Sequence, residues 1–493
     1  MKKNYYLLFF LLGIFFSCSN ENSDDLSGRK MVRLSKNEVL SISYDDAKEL
    51  NDNDIFDIVG SFINAENDGI TKSVASSYQI TKKTFINKEG EFENKEVATK
   101  AVSTSDDITS AISEVEFKNG SNTGLALVAS DAKLPSVIAF IPNKGSDFAM
   151  EHSGANDLLQ ASKASYLYKA IKTRELVDSL RQPTLEKVSQ ELGIPINEIT
   201  YEKIENNIIL TDANIATRSK PVQSQPAGVQ KLPSSIAPLV KTNWGQGEPY
   251  NGSFYMQDKM DNIRTGTNGK VWGPVPVGCV NVALAQIMGC AYLKIQPPAF
   301  PVPDGSAATF VPNFGDITKY PSIDQVSGTS FIHIQYLLLD LFIENKTTTK
   351  KDWDQAVIES GVSDEDMIRT MNKYFKFSPE AKFDGDLAWA SLRNGNPVLM
   401  LTNDHAFVLS GILITEFAHL TRQLVQTNDV YWYANLGWAN DATGYYQLEK
   451  DANTYFEAGG MNEWSQNMKF INNIRAKKIR EEVFWPLSQR INV

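Results

Sequence analysis

The stretch Gly273-Pro274-Val275-Pro276-Val277-Gly278-Cys279-Val280-Asn281-Val282-Ala283-Leu284-Ala285-Gln286-Ile287-Met288 changes character at its middle. A loop of Gly and Pro runs into an Ala-rich segment of good helix propensity. Val280, Ala283, Leu284, Ile287 and Met288 recur at helical spacing and make one apolar face. The pattern predicts a buried helix with Cys279 in its first turn. There the unpaired N–H groups and the positive end of the helix dipole favour a thiolate. A lone cysteine is more often a buried structural residue, so position alone does not define a nucleophile. Cys290 serves as an internal control. On a continuous helix it lies roughly 16 Å further along the axis. That is too far for a disulfide, which leaves Cys279 free and Cys290 a core residue.

A nucleophilic thiol needs a base. The chain has only 4 histidines to supply one. His152 lies in a polar stretch near the N-terminal half, and His333 sits in an apolar helical stretch. His405 opens His405-Ala406-Phe407-Val408-Leu409-Ser410-Gly411, a strand from whose end the ring can project into a cleft. His419, in Phe417-Ala418-His419-Leu420, is the rival. Asp404 is poorly placed to orient the His405 ring, because neighbours on a strand point to opposite faces. Asn435 is better placed, after the strand Tyr431-Trp432-Tyr433-Ala434, although Gly437 two residues on also suits it to turn chemistry. The oxyanion of an acyl transfer needs donors. The backbone N–H of Cys279 is one candidate, and Gln246, in the glycine-flanked Trp244-Gly245-Gln246-Gly247, is another.

Taken together, four segments carry a resemblance. They are Trp244-Gly245-Gln246-Gly247 with Pro249-Tyr250-Asn251, Gly278-Cys279-Val280 with Ala285-Gln286-Ile287-Met288, His405-Ala406-Phe407-Val408 with Gly411, and Asn435 with Gly437-Trp438. In this order they resemble the streptopain family of papain-like cysteine peptidases, over residues 232 to 480. Val128-Ala129-Ser130-Asp131 and Leu134-Pro135-Ser136-Val137-Ile138 resemble that family's pro-domain. The resemblance implies an α+β fold, in which a helical half bearing the cysteine meets an antiparallel β half bearing the histidine, behind an α+β pro-domain. It implies an endopeptidase made as a precursor, with Cys279 as nucleophile, His405 as base, Asn435 or its neighbours orienting the ring, and Gln246 stabilising the oxyanion. Gly278, Asp404 and Trp438 are expected along the substrate cleft, Trp438 as a shielding aromatic. The chain departs from the family at Asp404, where Gly is usual, at Leu436, where Trp is frequent, and in a longer segment from Gly411 to Tyr431.

The rest of the sequence frames this site. With 493 residues, two or three domains are expected. The net charge of −11 argues against a nucleic-acid partner. The 3 cysteines cannot build a disulfide framework. No HExxH or paired-cysteine zinc pattern occurs, and Gly266 to Lys270 lacks the spacing of a phosphate loop, so no metal or cofactor is expected.

Lys2 and Lys3 precede an apolar run from Tyr5 to Phe16, too short for a membrane helix and suited to a signal peptide. Ser17-Cys18 then reads as a lipobox, with Cys18 as the lipidated first residue, followed by an acidic tether to residue 30. Arg218-Ser219-Lys220-Pro221 opens an exposed linker of the kind proteases cut. The expected division is a signal peptide over 1–17, a tether over 18–30, an inhibitory pro-domain over 31–215, a cleavable linker over 216–232 and a peptidase over 233–493. The expected partners are protein or peptide substrates, the chain's own pro-domain and a bacterial membrane or cell surface reached through the lipid anchor, with release after cleavage as an option. The competing reading is a catalytically silent surface protein that uses the peptidase fold to bind peptides or another protease.

Overall fold

A computed structural model of the chain describes residues 30–43, 49–67, 77–87, 92–95, 108–132, 134–145, 154–211, 229–254, 275–302, 306–351, 357–402, 404–417, 428–448 and 468–478. The signal segment, Cys18, His152, His419 and residues 212–228, where the cleavable linker was expected, lie outside them. The fold is α+β.

In the N-terminal region, helix α1 (Asp52–Glu66) buries Ile55, Ile58, Val59, Phe62 and Ile63, the positions whose spacing predicts it. Its cap is Asn51, whose side chain accepts from the Asp54 N–H at 3.0 Å. Strands β1 (Tyr78–Asn87), β2 (Phe92–Lys95), β3 (Ile108–Asn119), β4 (Asn122–Ala129) and β5 (Ser136–Ile141) follow. From Leu125 in β4 and Val137 in β5 the strands are continuously apolar, because both of their faces are covered there. Ala126 and Val128 point to a core shared with α1. Leu125 and Leu127 point to a second core shared with helix α2 (Ala155–Leu192). The periodicity places that helix from Leu158, and the structure starts it three residues earlier, after Gly154 at φ 76°. It ends at Gly193, again in the left-handed region at φ 75°.

The C-terminal region contributes β6 (Val229–Lys231), helix α3 (Cys279–Ala291), helix α4 (Thr329–Glu344), β7 (Ala381–Lys382), β8 (Val398–Leu401), β9 (Ala406–Phe417), β10 (Asp429–Asn435), β11 (Gly444–Gln447) and β12 (Lys469–Ile471). Among the described residues the two regions share one 12-stranded sheet in the order β7-β12-β8-β9-β10-β11-β5-β4-β3-β1-β2, with β6 added alongside β9. Val229–Lys231, which composition places in the linker, is therefore a sheet strand. The Val229 N–H donates to the Ser61 hydroxyl on α1 at 2.6 Å. Alternation along β8 and β9 sorts their side chains to opposite faces. Met400, Phe407 and Leu409 pack toward α2, while Leu399, Leu401 and Val408 pack toward α3 and α4.

The seam between the regions is built from backbone and charge. β11 pairs antiparallel with β5, Tyr445 opposite Phe140 and Tyr446 opposite Ala139. Next to them, Lys169 of α2 lies 3.1 Å from the buried Asp429 carboxylate. The Gln447 amide donates to the same carboxylate at 3.0 Å. A buried carboxylate needs such partners, since it has lost its water. Asn143 donates to Asp441 at 2.9 Å, and the Ala442 N–H donates back to the Asn143 carbonyl at 2.9 Å. At Gly444 a Cβ would fall 2.3 Å from the Phe140 carbonyl oxygen and 2.9 Å from the Ile141 Cα. Both neighbours are backbone, so the strands could accept a side chain there only by separating. Gly444→Ala is expected to destabilise the full-length chain by about 1–3 kcal/mol in urea unfolding. Unchanged stability would mean that the β5–β11 pairing is looser than described.

Candidate active site

The loop before Cys279 is fixed from three sides. The Asn281 amide reaches back one helical turn to the Val277 carbonyl at 2.7 Å. Asn345, at the end of α4, donates to the Asn281 side chain at 2.6 Å. The Ser360 hydroxyl donates to the Pro276 carbonyl at 2.6 Å. Gly278 takes φ 88°, a conformation that L side chains rarely adopt, and turns the chain into α3. A glycine N-cap offers no side-chain acceptor, and none caps α3. The Val280 N–H is thus available to the Cys279 sulfur, which also accepts from the Ala406 N–H.

His405 is placed by a tight hairpin. Leu401 pairs with Ala406, and the Thr402 N–H donates to the His405 carbonyl at 2.9 Å. The ring therefore leaves the end of the sheet, as its position before an apolar strand predicts. It is 6% exposed. Its Nε2 lies 2.9 Å from the Leu436 carbonyl oxygen, to which it donates. Cys279 hydrogen-bonds the ring as well. Cys279 and His405, far apart in sequence, thus meet as a hydrogen-bonded pair.

The electrostatics fit a nucleophile and its base. Burial pushes the Cys279 thiol up, but the charge and hydrogen bond of His405, with the Ala406 and Val280 N–H groups, outweigh it and hold the thiol below its ordinary value. Burial pushes the His405 imidazole down, but Cys279, the Leu436 carbonyl and the Asp157 charge more than offset this and raise it. Cys290 lies on the same helix, where burial drives it up to about 11 against a smaller opposing effect of the Lys294 charge. His333 is only partly buried, packs at a tilt against Phe310 with ring centroids 4.9 Å apart, and is lowered by burial.

The remaining expected residues divide. Trp438 stacks on the His405 ring, with centroids 6.3 Å apart and planes at 23°. Gln246 is buried, and its carbonyl accepts from the Val277 N–H at 2.9 Å, which ties its loop to the loop of the nucleophile. Asp404 is exposed beside the site. For the group that orients the ring, expected at Asn435 or its neighbours, the structure shows a neighbour. The ring's acceptor is the backbone of its neighbour Leu436, and the Asn435 amide donates to the Thr242 carbonyl at 2.6 Å and to the Gln286 side chain at 3.1 Å. A backbone carbonyl carries no residue-type signal, so sequence reasoning could not single out Leu436.

Sequence reasoning also missed the contribution of α2. Gly154 lies on His405 so closely that a Cβ there would sit 2.9 Å from the ring's Cδ2. Asp157, one turn on, is raised by burial, opposed by a hydrogen bond with Thr402, raised further by Asp404 and lowered by His405. The N-terminal region thus covers the histidine. Among the described residues no group of three or more His, Cys, Asp or Glu side chains could hold a metal ion, and no helix is long and apolar enough to cross a membrane.

No family model matches the chain, and no curated protein matches it. Among solved structures it is similar to a mutant fragment of prointerpain A from Prevotella intermedia, at 14% identity and a TM-score of 0.40, over 81% of this chain and 100% of that one. It is also similar to the active wild-type interpain A cysteine protease of Prevotella intermedia, at 17% identity and a TM-score of 0.27, over 48% of this chain and 94% of that one.

The two cysteines make the electrostatics measurable. With Cys279 lowered and Cys290 raised to about 11, iodoacetamide is expected to modify Cys279 first, and to keep doing so below the ordinary thiol range. His405→Ala should remove that acid-side reactivity and return Cys279 to ordinary thiol behaviour. Equal rates at the two cysteines in wild type, read by peptide mass mapping, would contradict the pairing.

Proposed function

We propose that the chain is the precursor of a papain-like cysteine endopeptidase. The observation that carries this reading is the Cys279–His405 pair, with the thiol at the first turn of a buried helix and the imidazole held from behind by the Leu436 carbonyl. This arrangement activates sulfur as a nucleophile and leaves a proton on the ring for delivery.

In the reaction, the Cys279 thiolate attacks a peptide carbonyl carbon while His405 holds the imidazolium form. The oxyanion that develops accepts hydrogen bonds from the Cys279 N–H and the Gln246 side-chain amide. The tetrahedral intermediate collapses, the C–N bond breaks, and His405 passes its proton to the departing amine. The acyl group remains on sulfur as a thioester. Neutral His405 then takes a proton from water, whose oxygen attacks the thioester carbonyl, and loss of the acid restores the thiolate and the imidazolium. Leu436 keeps the ring in one orientation throughout, and Trp438 shields the pair from bulk water. Gly278 and Asp404 border the cleft.

Residues 31–215 serve in this reading as an intramolecular inhibitor. Gly154 on the His405 ring and the half-buried Asp157 beside it support that role, because a substrate chain would need the same space. Proteolysis in the linker ahead of the strand Val229–Lys231 would start maturation. Export by the N-terminal signal and anchoring through lipid on Cys18 complete the proposal, with proteins or peptides outside the bacterial membrane as substrates.

After proteolytic trimming of the linker, wild type is expected to cleave casein and to be labelled covalently by a thiol-reactive peptidyl epoxide. Cys279→Ala should do neither while retaining the wild-type unfolding profile, and its purified precursor should stay unprocessed. If the trimmed wild type neither labels nor cleaves, the binding-protein reading takes its place.

A further inference from the structure

A pair of buried amides behind the dyad joins its separate parts. Gln286 lies two turns beyond Cys279 on α3 and is 1% exposed. Its Nε2 donates to the Asn435 Oδ1 at 3.2 Å, and the Asn435 Nδ2 donates back to the Gln286 Oε1 at 3.1 Å. Each amide then reaches a further part of the site. The Gln286 Oε1 also accepts from the Trp244 N–H and the Thr242 hydroxyl, both at 3.2 Å, on the segment that leads into Gln246. The Asn435 Oδ1 also accepts from the Gly437 N–H at 3.3 Å. That bond closes a turn around residue 436, whose carbonyl holds His405. Gly437 can enter the turn at φ 73°, and it packs so tightly on α3 that a Cβ would meet Val282 at 3.1 Å.

We infer that Gln286 and Asn435 are positioning residues of the proposed peptidase, a reciprocal amide pair that fixes the helix of Cys279, the carbonyl behind His405 and the loop of Gln246 relative to one another. Neither touches a reacting atom. Their chemistry suits the task, because a primary amide donates and accepts at once. Two facing amides can therefore bridge three backbone segments and still satisfy each other. Burial makes the arrangement all-or-none, since removing one partner leaves the other's polar atoms without water. The inference rests on the peptidase reading and adds to it which residues set the geometry.

The test uses full-length chain matured by linker cleavage, comparing wild type, Gln286→Leu, Asn435→Leu and the double variant, with Gln286→Glu as a same-size replacement should the leucine variants not fold. Each single leucine variant is expected to lower kcat about 10–100-fold with KM within about three-fold, since a misplacement of about 1 Å costs that much. The double variant should be no slower than the worse single one, because one device has been removed twice. In Asn435→Leu the acid limb of Cys279 alkylation should move toward the ordinary thiol range, as the Leu436 carbonyl is released from the ring. Gln286→Glu keeps the oxygen facing Trp244 and Thr242 but loses the donor to Asn435 and buries an acidic group, so kcat of the folded protein should fall along with the unfolding midpoint. The inference is overturned if the variants lose stability while kcat and the alkylation profile stay within two-fold of wild type, or if the single losses multiply in the double. An inactive, unlabelled wild type would instead remove the peptidase reading beneath it.

Discussion

The contact between the Cys279 sulfur and the His405 imidazole is the constraint on which the rest of the site depends. Each group alone is in an unfavourable position. A buried thiol resists ionising and a buried imidazole resists protonation. Side by side, each stabilises the other's charged form, and the net effect is a lowered thiol and a raised imidazole. The structure around them supplies the few polar contacts that such a buried ion pair requires: the Val280 and Ala406 N–H groups for sulfur, and the Leu436 carbonyl for the ring.

Holding that contact requires precision from elements that belong to different layers. Cys279 is fixed by the apolar face of α3 against α4, and His405 by a hairpin whose strands face both cores. The two are referenced to each other through polar groups, because apolar packing is non-directional and tolerates sliding. The Asn281–Asn345 pair in front and the Gln286–Asn435 pair behind are directional, and each has one member on α3. The N-terminal region enters the same construction. Its sheet continues that of the C-terminal region, and the start of α2 rests on the His405 ring. That segment thus covers the histidine while leaving the dyad assembled.

Much of this was legible in the sequence where a residue type and a periodicity agreed. Cys279 could be placed because the apolar spacing of Val280, Ala283, Leu284 and Ile287 defines a helix start. His405 could be placed because a run of apolar residues behind it defines a strand start. The apolar runs of β4 and β5 follow the same rule, and helical spacing defines α1, whose cap falls on Asn51, just ahead of the polar Asp52-Asn53-Asp54. What could not be read was carried by backbone atoms or by long-range proximity. The Leu436 carbonyl has no side-chain signature. Gly154 and Asp157 act on His405 only because α2 folds back over the sheet. Asn435 had two meanings, turn former and ring orienter. It closes the turn at Gly437, next to the carbonyl that meets the ring. Val229–Lys231 looked like linker because its neighbours are polar, and it is a strand because β9 offers it an edge.

The most direct test of the dyad is an ultraviolet titration of the thiolate in the intact protein, with Cys279→Ala subtracted. A thiolate that persists well below the ordinary cysteine range, and that vanishes from that range in His405→Ala, is the expected result. A difference signal that titrates only in the ordinary range, unchanged by His405→Ala, would show that sulfur and imidazole are not paired and would contradict the assignment of the site.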